Sequence, residues 1–532
     1  MKHTDNLTVP ERKALRLVVL CLALLGGVGL FLGYANPFYQ IPPLVLLFPA
    51  CLATFSRIMP TGKSCFYAGW LCATIGSSAC LYWVSVPMHD FGMVPWVLTV
   101  PAVLALGAYL GLYGALFSLL YRLFRERLPF FVALILVCPL WAALDIAKEY
   151  LFTGFPWITL ATAFVAWPEW AQAASLIGGK LLSGAFALIA VAVAEARPVR
   201  LSPSVTSKKR QNFCILLGIA ALIAIYACSF APPIPEGRAV TVGLVQGNID
   251  QNQKWSPEYQ AGTLSRYLTL SEWMVDPTMG RLDKAVDVVL WPETSMPFYL
   301  ETNELLAEKL TDFSQKFSVP VVFGAPGKNN TIGKSGYYNR MWMLTHRPEE
   351  RQFYDKQHLV PFGEYLPLNI PLPFIEYLMQ GVNFIPGTSN APLKTGDLAL
   401  GGLICYEAVF SDLARQRVAD GANLLVNISN DAWFGFTSAP VQHLQLTAMR
   451  AIEQGRYIAR ATNTGISAVI TPRGTIAAHG ALFKAEAVAG TARLVTGLTL
   501  YHRIGPFIQW ICIALAFAAT AWSFFRPLRN DN

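Results

Sequence analysis

Charge is scarce in this sequence. Asp, Glu, Lys and Arg supply only 14% of its 532 residues, while 54% are hydrophobic. So apolar a chain is not an ordinary soluble protein; it suits an integral membrane protein with a sizeable polar part. Histidine is also sparse: the seven present show no HExxH motif, and the cysteines show no CxxC spacing, so nothing points to a metal. No glycine-rich phosphate loop, no nucleotide fingerprint, no internal repeat and no low-complexity tract occurs. No cofactor is called for.

What is abundant is long hydrophobic runs. A spanning helix needs about 20 mostly apolar residues. Eight such runs are expected, near 15–34, 40–56, 66–87, 95–121, 129–147, 170–194, 212–231 and 506–525, with Pro42, Pro43, Pro49 and Pro139 interrupting the second and fifth. Residues 1–232 then form a bundle of seven transmembrane helices. Residues 233–505 form one polar domain, and residues 506–532 the eighth helix and a tail. The first run has a long core and no small-x-small site before Tyr34, so it is expected to stay as an anchor.

The net charge of +8 follows loop placement rather than nucleic-acid binding. Arg12, Lys13 and Arg16 precede the first run. Arg57 and Lys63 follow the second; Arg122, Arg125 and Arg127 the fourth. Arg197, Arg200, Lys208, Lys209 and Arg210 follow the sixth, and Arg526 and Arg529 the last. The alternate loops are nearly free of Lys and Arg, apart from Lys148. This positive-inside pattern puts both termini in the cytoplasm and the polar domain outside, which in a bacterium is the periplasm.

Nine of the ten cysteines lie in or beside hydrophobic runs, where a small apolar residue is unremarkable. Cys405 stands alone in the polar domain. On the oxidising side of a membrane an unpaired thiol is either inert in a core or reactive by design.

Short β-branched runs at Ala239–Val245, Val286–Trp291, Val319–Gly324, Leu398–Cys405, Leu424–Ser429 and Ile458–Ile470 alternate with amphipathic stretches near 257–275, 302–317, 407–419 and 440–454. Apolar strands separated by helices indicate an α/β layered fold with a buried sheet. Residues 362–385 are apolar but broken by proline. They read either as a loop packed on the domain or as an arm facing lipid.

Three local features bear on chemistry. Leu290-Trp291-Pro292-Glu293 ends a strand in an acid. Lys356 lies among aromatic residues, in Phe353-Tyr354-Asp355-Lys356. Cys405 ends the strand Gly401–Ile404 ahead of a helix-like stretch, whose positive N-terminal end favours thiolate. Each alone is more often solvated or structural. Together they form a set: a nucleophile, a base to take its proton in Glu293, and a cation in Lys356 that, with the Tyr406 N–H, faces an oxyanion.

The order Glu, Lys, Cys, each beside a strand of one α/β domain, resembles the nitrilase superfamily of carbon–nitrogen hydrolases, and Leu244–Asn248 looks like that family's first core strand. With spans on both sides the resemblance narrows to the apolipoprotein N-acyltransferase family. It is carried by Gly154-Phe155-Pro156-Trp157, Gln246-Gly247-Asn248 with Lys254-Trp255, Trp291-Pro292-Glu293, Asp355-Lys356 and Val360–Glu364. Cys405-Tyr406-Glu407, Ser429–Gly435 and Arg460–Gly465 complete it.

The resemblance implies an αββα sandwich and a ping-pong acyltransferase. Cys405 is then the nucleophile, Glu293 the general base and Lys356 the oxyanion stabiliser. Glu364 is a second essential carboxylate, Tyr406 and Glu407 line the site, and Trp255 and Trp433 sit on loops over the entrance and meet lipid. The acyl donor would be a membrane phospholipid, and the acceptor the diacylglyceryl-cysteine of an apolipoprotein. A membrane-tethered amidase acting on a small amide is the competing enzyme reading. A transporter fits less well, because few ionisable residues interrupt the runs, Asp145 and Lys180 being the clearest. His358 and His443 are expected to be structural rather than catalytic bases.

Overall fold

The computed structural model describes residues 8–198, 207–232, 234–251, 253–279, 285–328, 336–347, 350–365 and 384–528. Most of the apolar 362–385 segment, residues 366–383, lies outside that set.

Six described helices are long and apolar enough to cross a membrane: Val9–Gly33, Trp96–Arg127, Phe130–Tyr150, Ala174–Ala196, Lys208–Phe230 and Leu500–Phe524. Gly62–Cys80 and Tyr82–Phe91 make a seventh if they are one span bent by 56°. The second expected span is a shorter helix, Pro42–Ile58. Its first turn is the tight helix Pro42–Leu46, opened by two prolines that have no N–H to give. The last helix starts at Leu500, ahead of residue 506, because the Thr499 hydroxyl caps it by accepting from the His502 N–H at 2.9 Å.

The polar domain is a sandwich of two six-stranded sheets. The first holds β1 (Ala239–Gln246), β2 (Val288–Leu290), β3 (Val321–Lys328), β4 (Tyr337–Leu344) and β5 (Gln352–Asp355). The second holds β6 (Leu393–Thr395), β7 (Leu398–Ile404), β8 (Leu424–Ser429), β9 (Ile458–Thr462), β10 (Ala468–Ile470) and β11 (Ile476–His479). The last strand, β12 (Glu486–Arg493), returns to the first sheet beside β1. The orders are β12-β1-β2-β3-β4-β5 and β11-β10-β9-β8-β7-β6. In each sheet a parallel trio, β1-β2-β3 or β7-β8-β9, is flanked by antiparallel strands.

The inner faces pack on one another through Val242, Leu244, Val322 and Met341 from one sheet and Leu400, Ile404, Val426 and Ala459 from the other. Helices Pro257–Val275 and Glu304–Phe317 cover the outer face of the first sheet. Ser411–Ala419 and Ala439–Gln454 cover the second and share its core with the membrane helices. The result is a four-layer αββα sandwich.

Two expectations shift here. The stretch Ile458–Ile470 is a hairpin of β9 and β10, with Gly465 in the turn, rather than one strand. Strands β4, β5, β6, β11 and β12 were not signalled: β12 is rich in Ala and Gly and half exposed, so it lacks the β-branched signature.

The bend between Gly62–Cys80 and Tyr82–Phe91 brings bundle side chains against the sandwich. Trp83 donates to Gln442 Oε1 at 3.1 Å, and Phe91 meets the Trp433 ring edge to face at 4.6 Å. Gln442 lies on Ala439–Gln454, a helix buried almost throughout between sheet and bundle.

Candidate active site

Ligand sites in parallel α/β sheets lie beyond the carboxyl ends of the strands. Glu293 follows β2, Lys356 follows β5 and Cys405 follows β7. Cys405 adopts a left-handed conformation, φ 52°, which is costly for a residue with a side chain. Thr294, beside Glu293, is left-handed as well, φ 49°. The turn it makes lies tight on β3: a Cβ on Gly324 would come within 2.4 Å of the Thr294 nitrogen, so only glycine fits there.

The three side chains share one buried cluster. The Lys356 ammonium donates to Glu364 at 2.9 Å and sits 3.6 Å from Glu293 Oε1. Asn339, on β4, donates through one amide nitrogen to both carboxylates, 2.7 Å to Glu293 and 2.8 Å to Glu364. The second oxygen of Glu293 accepts from the Asn430 N–H at 2.9 Å, and that of Glu364 from the Val360 N–H at 2.8 Å. Burial disfavours the Lys356 cation, but Glu364, then Glu293 and Cys405, overcome it and raise its pKa well above the ordinary range. Lys356 is thus a fixed positive charge.

Burial and then the Glu293 carboxylate push the Cys405 thiol up, against the pull of Lys356. A short tight helix, Cys405–Val409, follows the cysteine as the sequence suggested, with an α-helix from Ser411. It does not tip the balance to thiolate: burial and Glu293 favour the protonated sulfur.

Glu364 is inside the cluster, as described. Tyr406 is buried, and its hydroxyl donates to the Gly154 carbonyl at 3.0 Å, tying the turn to the bundle. Its ring lies between Trp157, His358 and Phe410. Glu407 is fully buried and accepts from the Tyr354 hydroxyl at 2.7 Å and from the N–H groups of Gln357, His358 and Ile404. It clamps the segment after Lys356 to the turn carrying Cys405. Trp255 is 50% exposed and Trp433 38% exposed, the latter against Phe91 of the bundle.

Beneath the cluster, neutral His443 contacts the Cys405 carbonyl at 3.1 Å; burial and then Arg460 lower its pKa. Burial, helped by Lys356, depresses His358 to about 4, so it too is uncharged at neutral pH. His443 meets the Cys405 main chain rather than its sulfur. Lys254 is buried and donates to the Glu293 main-chain carbonyl at 3.2 Å. Among the described residues no three His, Cys, Asp or Glu side chains converge as a metal would require.

Sequence reasoning gave no role to Asn339, Asn430 or Lys254. Lys254 and Asn430 each lie inside a resembling motif, Lys254-Trp255 and Ser429–Gly435, and that was the available signal.

Comparison with known proteins agrees with this architecture. Residues 241–494 match the carbon-nitrogen hydrolase family, and residues 26–192 match the apolipoprotein N-acyltransferase N-terminal domain. The chain is 33% identical to an apolipoprotein N-acyltransferase of Geobacter metallireducens over 98% of both chains. It is 34% identical to one of Nitrosomonas europaea, over 95% of this chain and 97% of that one. A solved carbon-nitrogen hydrolase from Helicobacter pylori is 17% identical, covering 51% of this chain and 94% of that one, with a TM-score of 0.35. With two matching domains in one chain and relatives aligned along nearly its whole length, the protein belongs to the apolipoprotein N-acyltransferase family.

Proposed function

We propose that this protein is an acyltransferase that moves an acyl chain from the sn-1 position of a membrane phospholipid to the α-amino group of an apolipoprotein's N-terminal diacylglyceryl-cysteine. The reaction runs by ping-pong through a thioester on Cys405. The observation that carries the reading is the buried cluster in which Cys405 feels both the Glu293 carboxylate and the Lys356 ammonium.

In the first half-reaction Glu293 takes the thiol proton as the sulfur attacks the ester carbonyl. The oxyanion faces Lys356 and the Tyr406 N–H, charges already in place before the reaction. When the carbon–oxygen bond breaks, Glu293 gives the proton to the departing glycerol oxygen, and a lysophospholipid leaves. In the second half the α-amino group attacks the thioester. Glu293 takes its proton and returns it to sulfur as the amide forms. Glu364 and Asn339 hold Lys356 and Glu293 in register throughout.

Water must lose this competition, which favours an apolar approach. Trp255, Trp433 and Phe362 offer exposed aromatic surface for it. The six long helices, the bent pair and Pro42–Ile58 make eight passes. The Arg- and Lys-rich loops lie on the cytoplasmic side with both termini, and the sandwich lies in the periplasm of a bacterial inner membrane.

The test is intact-protein mass spectrometry after incubation with phospholipid alone. The expected result is a gain of one acyl chain, removable by neutral hydroxylamine and lost in Cys405→Ala. The same adduct in Cys405→Ala would sink the mechanism.

A further inference from the structure

The nucleophile's turn rests on a buried group of polar and charged side chains, whose Asp431 is bound by Ser429, a hydroxyl that also reaches the Cys405 sulfur. His443, Asp431 and Arg460 are each fully buried. Arg460 Nη2 lies 2.7 Å from Asp431 Oδ2 and 3.1 Å from His443 Nδ1. Asp431 also accepts from the Ser429 hydroxyl at 2.7 Å, with its Oδ1 3.2 Å from His443 Nδ1. Arg460 is anchored further by Asn427 and by Thr447. On its other side the imidazole places Nε2 3.1 Å from the Cys405 carbonyl oxygen.

Nδ1 faces both the Arg460 guanidinium, which can only donate, and Asp431 Oδ1, which can only accept; Nε2 faces a carbonyl, which can only accept. With one ring hydrogen, placing it on Nε2 satisfies the Cys405 carbonyl and lets Nδ1 accept from Arg460, whereas placing it on Nδ1 would serve Asp431 alone, which already accepts from Ser429 and Arg460. Burial and then Arg460 disfavour a second ring proton and outweigh Asp431 and the carbonyl, which favour it. His443 is thus a donor pointing at the main chain of Cys405, whose left-handed conformation is costly and persists only where the surroundings over-determine it.

We propose that His443, fixed by Arg460 and Asp431, is a positioning residue for the acylation step: its Nε2–H holds the Cys405 carbonyl so that the strained turn aims the sulfur between Glu293 and Lys356. This rests on Cys405 being the nucleophile. The helix that carries His443 is itself keyed to the bundle by the neighbouring Gln442, which accepts from Trp83 and Trp157 and donates to the Ala35 and Cys80 carbonyls.

The test compares two substitutions in the full-length protein. Gln places an amide N–H where Nε2 was, whereas Asn fills the Nδ1 side and cannot reach Cys405. Single-turnover thioester formation from phospholipid vesicles is followed by mass spectrometry across phospholipid concentrations, with a melting curve for each variant. His443→Asn should slow the saturated acylation rate about 100-fold, the cost of a small misplacement of a reacting group, with apparent phospholipid affinity within about 2-fold. His443→Gln should recover at least about 10-fold of that loss.

Equal rates for the two variants at similar melting temperatures would overturn the proposal, as would a His443→Asn defect confined to affinity. Should His443→Asn fail to fold, His443→Gln alone decides: activity within about 10-fold of wild type supports positioning through an N–H, and a loss of about 100-fold or more refutes it. Cys405→Ala is assayed alongside; an adduct there would refute the nucleophile reading itself, whatever the His443 variants do.

Discussion

Asn339 donates to Glu293 Oε1 at 2.7 Å, with the same nitrogen reaching Glu364 at 2.8 Å. Two carboxylates thus share one neutral donor and one cation, Lys356. Removing the amide leaves Lys356 as the only side chain shared between them, beside the separate Asn430 and Val360 N–H groups. Asn339→Ala should slow thioester formation about 10²-fold, by letting the base drift from its place. Asn339→Asp, which adds a third carboxylate, should be slower still. Single-turnover acylation distinguishes the two; equal activity to wild type would remove Asn339 from the site.

The protonated resting state of Cys405 has a pH signature. Burial and Glu293 hold the thiol above its usual range, so its thiolate fraction grows tenfold per pH unit throughout the accessible range. Labelling of Cys405 by iodoacetamide should keep climbing from about pH 7 to 10 without a plateau. A plateau below pH 8 would mean a preformed thiolate.

Lys254 links stability to pH. Burial lowers it to about 8, partly offset by Glu293, so the folded state takes up its proton less readily than the unfolded chain does. Between about pH 8 and 10.5 the unfolded state binds the extra proton, so stability from this group rises with pH across that window and the penalty is fullest below it. The penalty at neutral pH is about 3 kcal/mol before the hydrogen bond to Glu293 is counted. Lys254→Met should therefore gain in melting temperature relative to wild type at pH 7, and that gain should shrink by pH 10.

Glu407 shows what a buried carboxylate does when it is scaffold. Its loss strands the Tyr354 hydroxyl and three N–H groups. Glu407→Leu should destabilise the protein by roughly 3–5 kcal/mol, because hydrogen bonds to a buried charge fail together. Loss of acylation should track loss of fold in thermal melts. A well-folded, inactive Glu407→Leu would instead give it a chemical role.

Much of this arrangement can be read from the chain, and the parts that cannot have physical reasons. Glu293, Lys356 and Cys405 stand out because each follows a β-branched or aromatic strand and carries a reactive group. Asn339 does not: it lies mid-strand in β4, and its partners are 46 and 25 residues away. Nothing local marks an amide as a bridge. Tyr406 and Glu407 were placed at the site by the family resemblance. Position in a motif does not fix direction: after the left-handed Cys405 the Tyr406 hydroxyl reaches Gly154 and the Glu407 carboxylate accepts from the Ile404 N–H. The membrane runs were plain in hydropathy, yet Pro42 and Pro43 shortened one, and the 56° bend near Leu81 carries no composition signal.

The helix Ala439–Gln454 has one more consequence. Gln442, Gln445, Met449 and Glu453 fall on one side of it at helical spacing, and all four meet the bundle, at Trp83 and Trp157, Gln40, and Gly179. Polar bonds shielded from water cost far more to break than to keep. The joint is therefore a weld rather than a hinge. On the proposed mechanism, access to Cys405 is then a matter of the exposed rings of Trp255, Trp433 and Phe362 rather than of a swing of the whole sandwich.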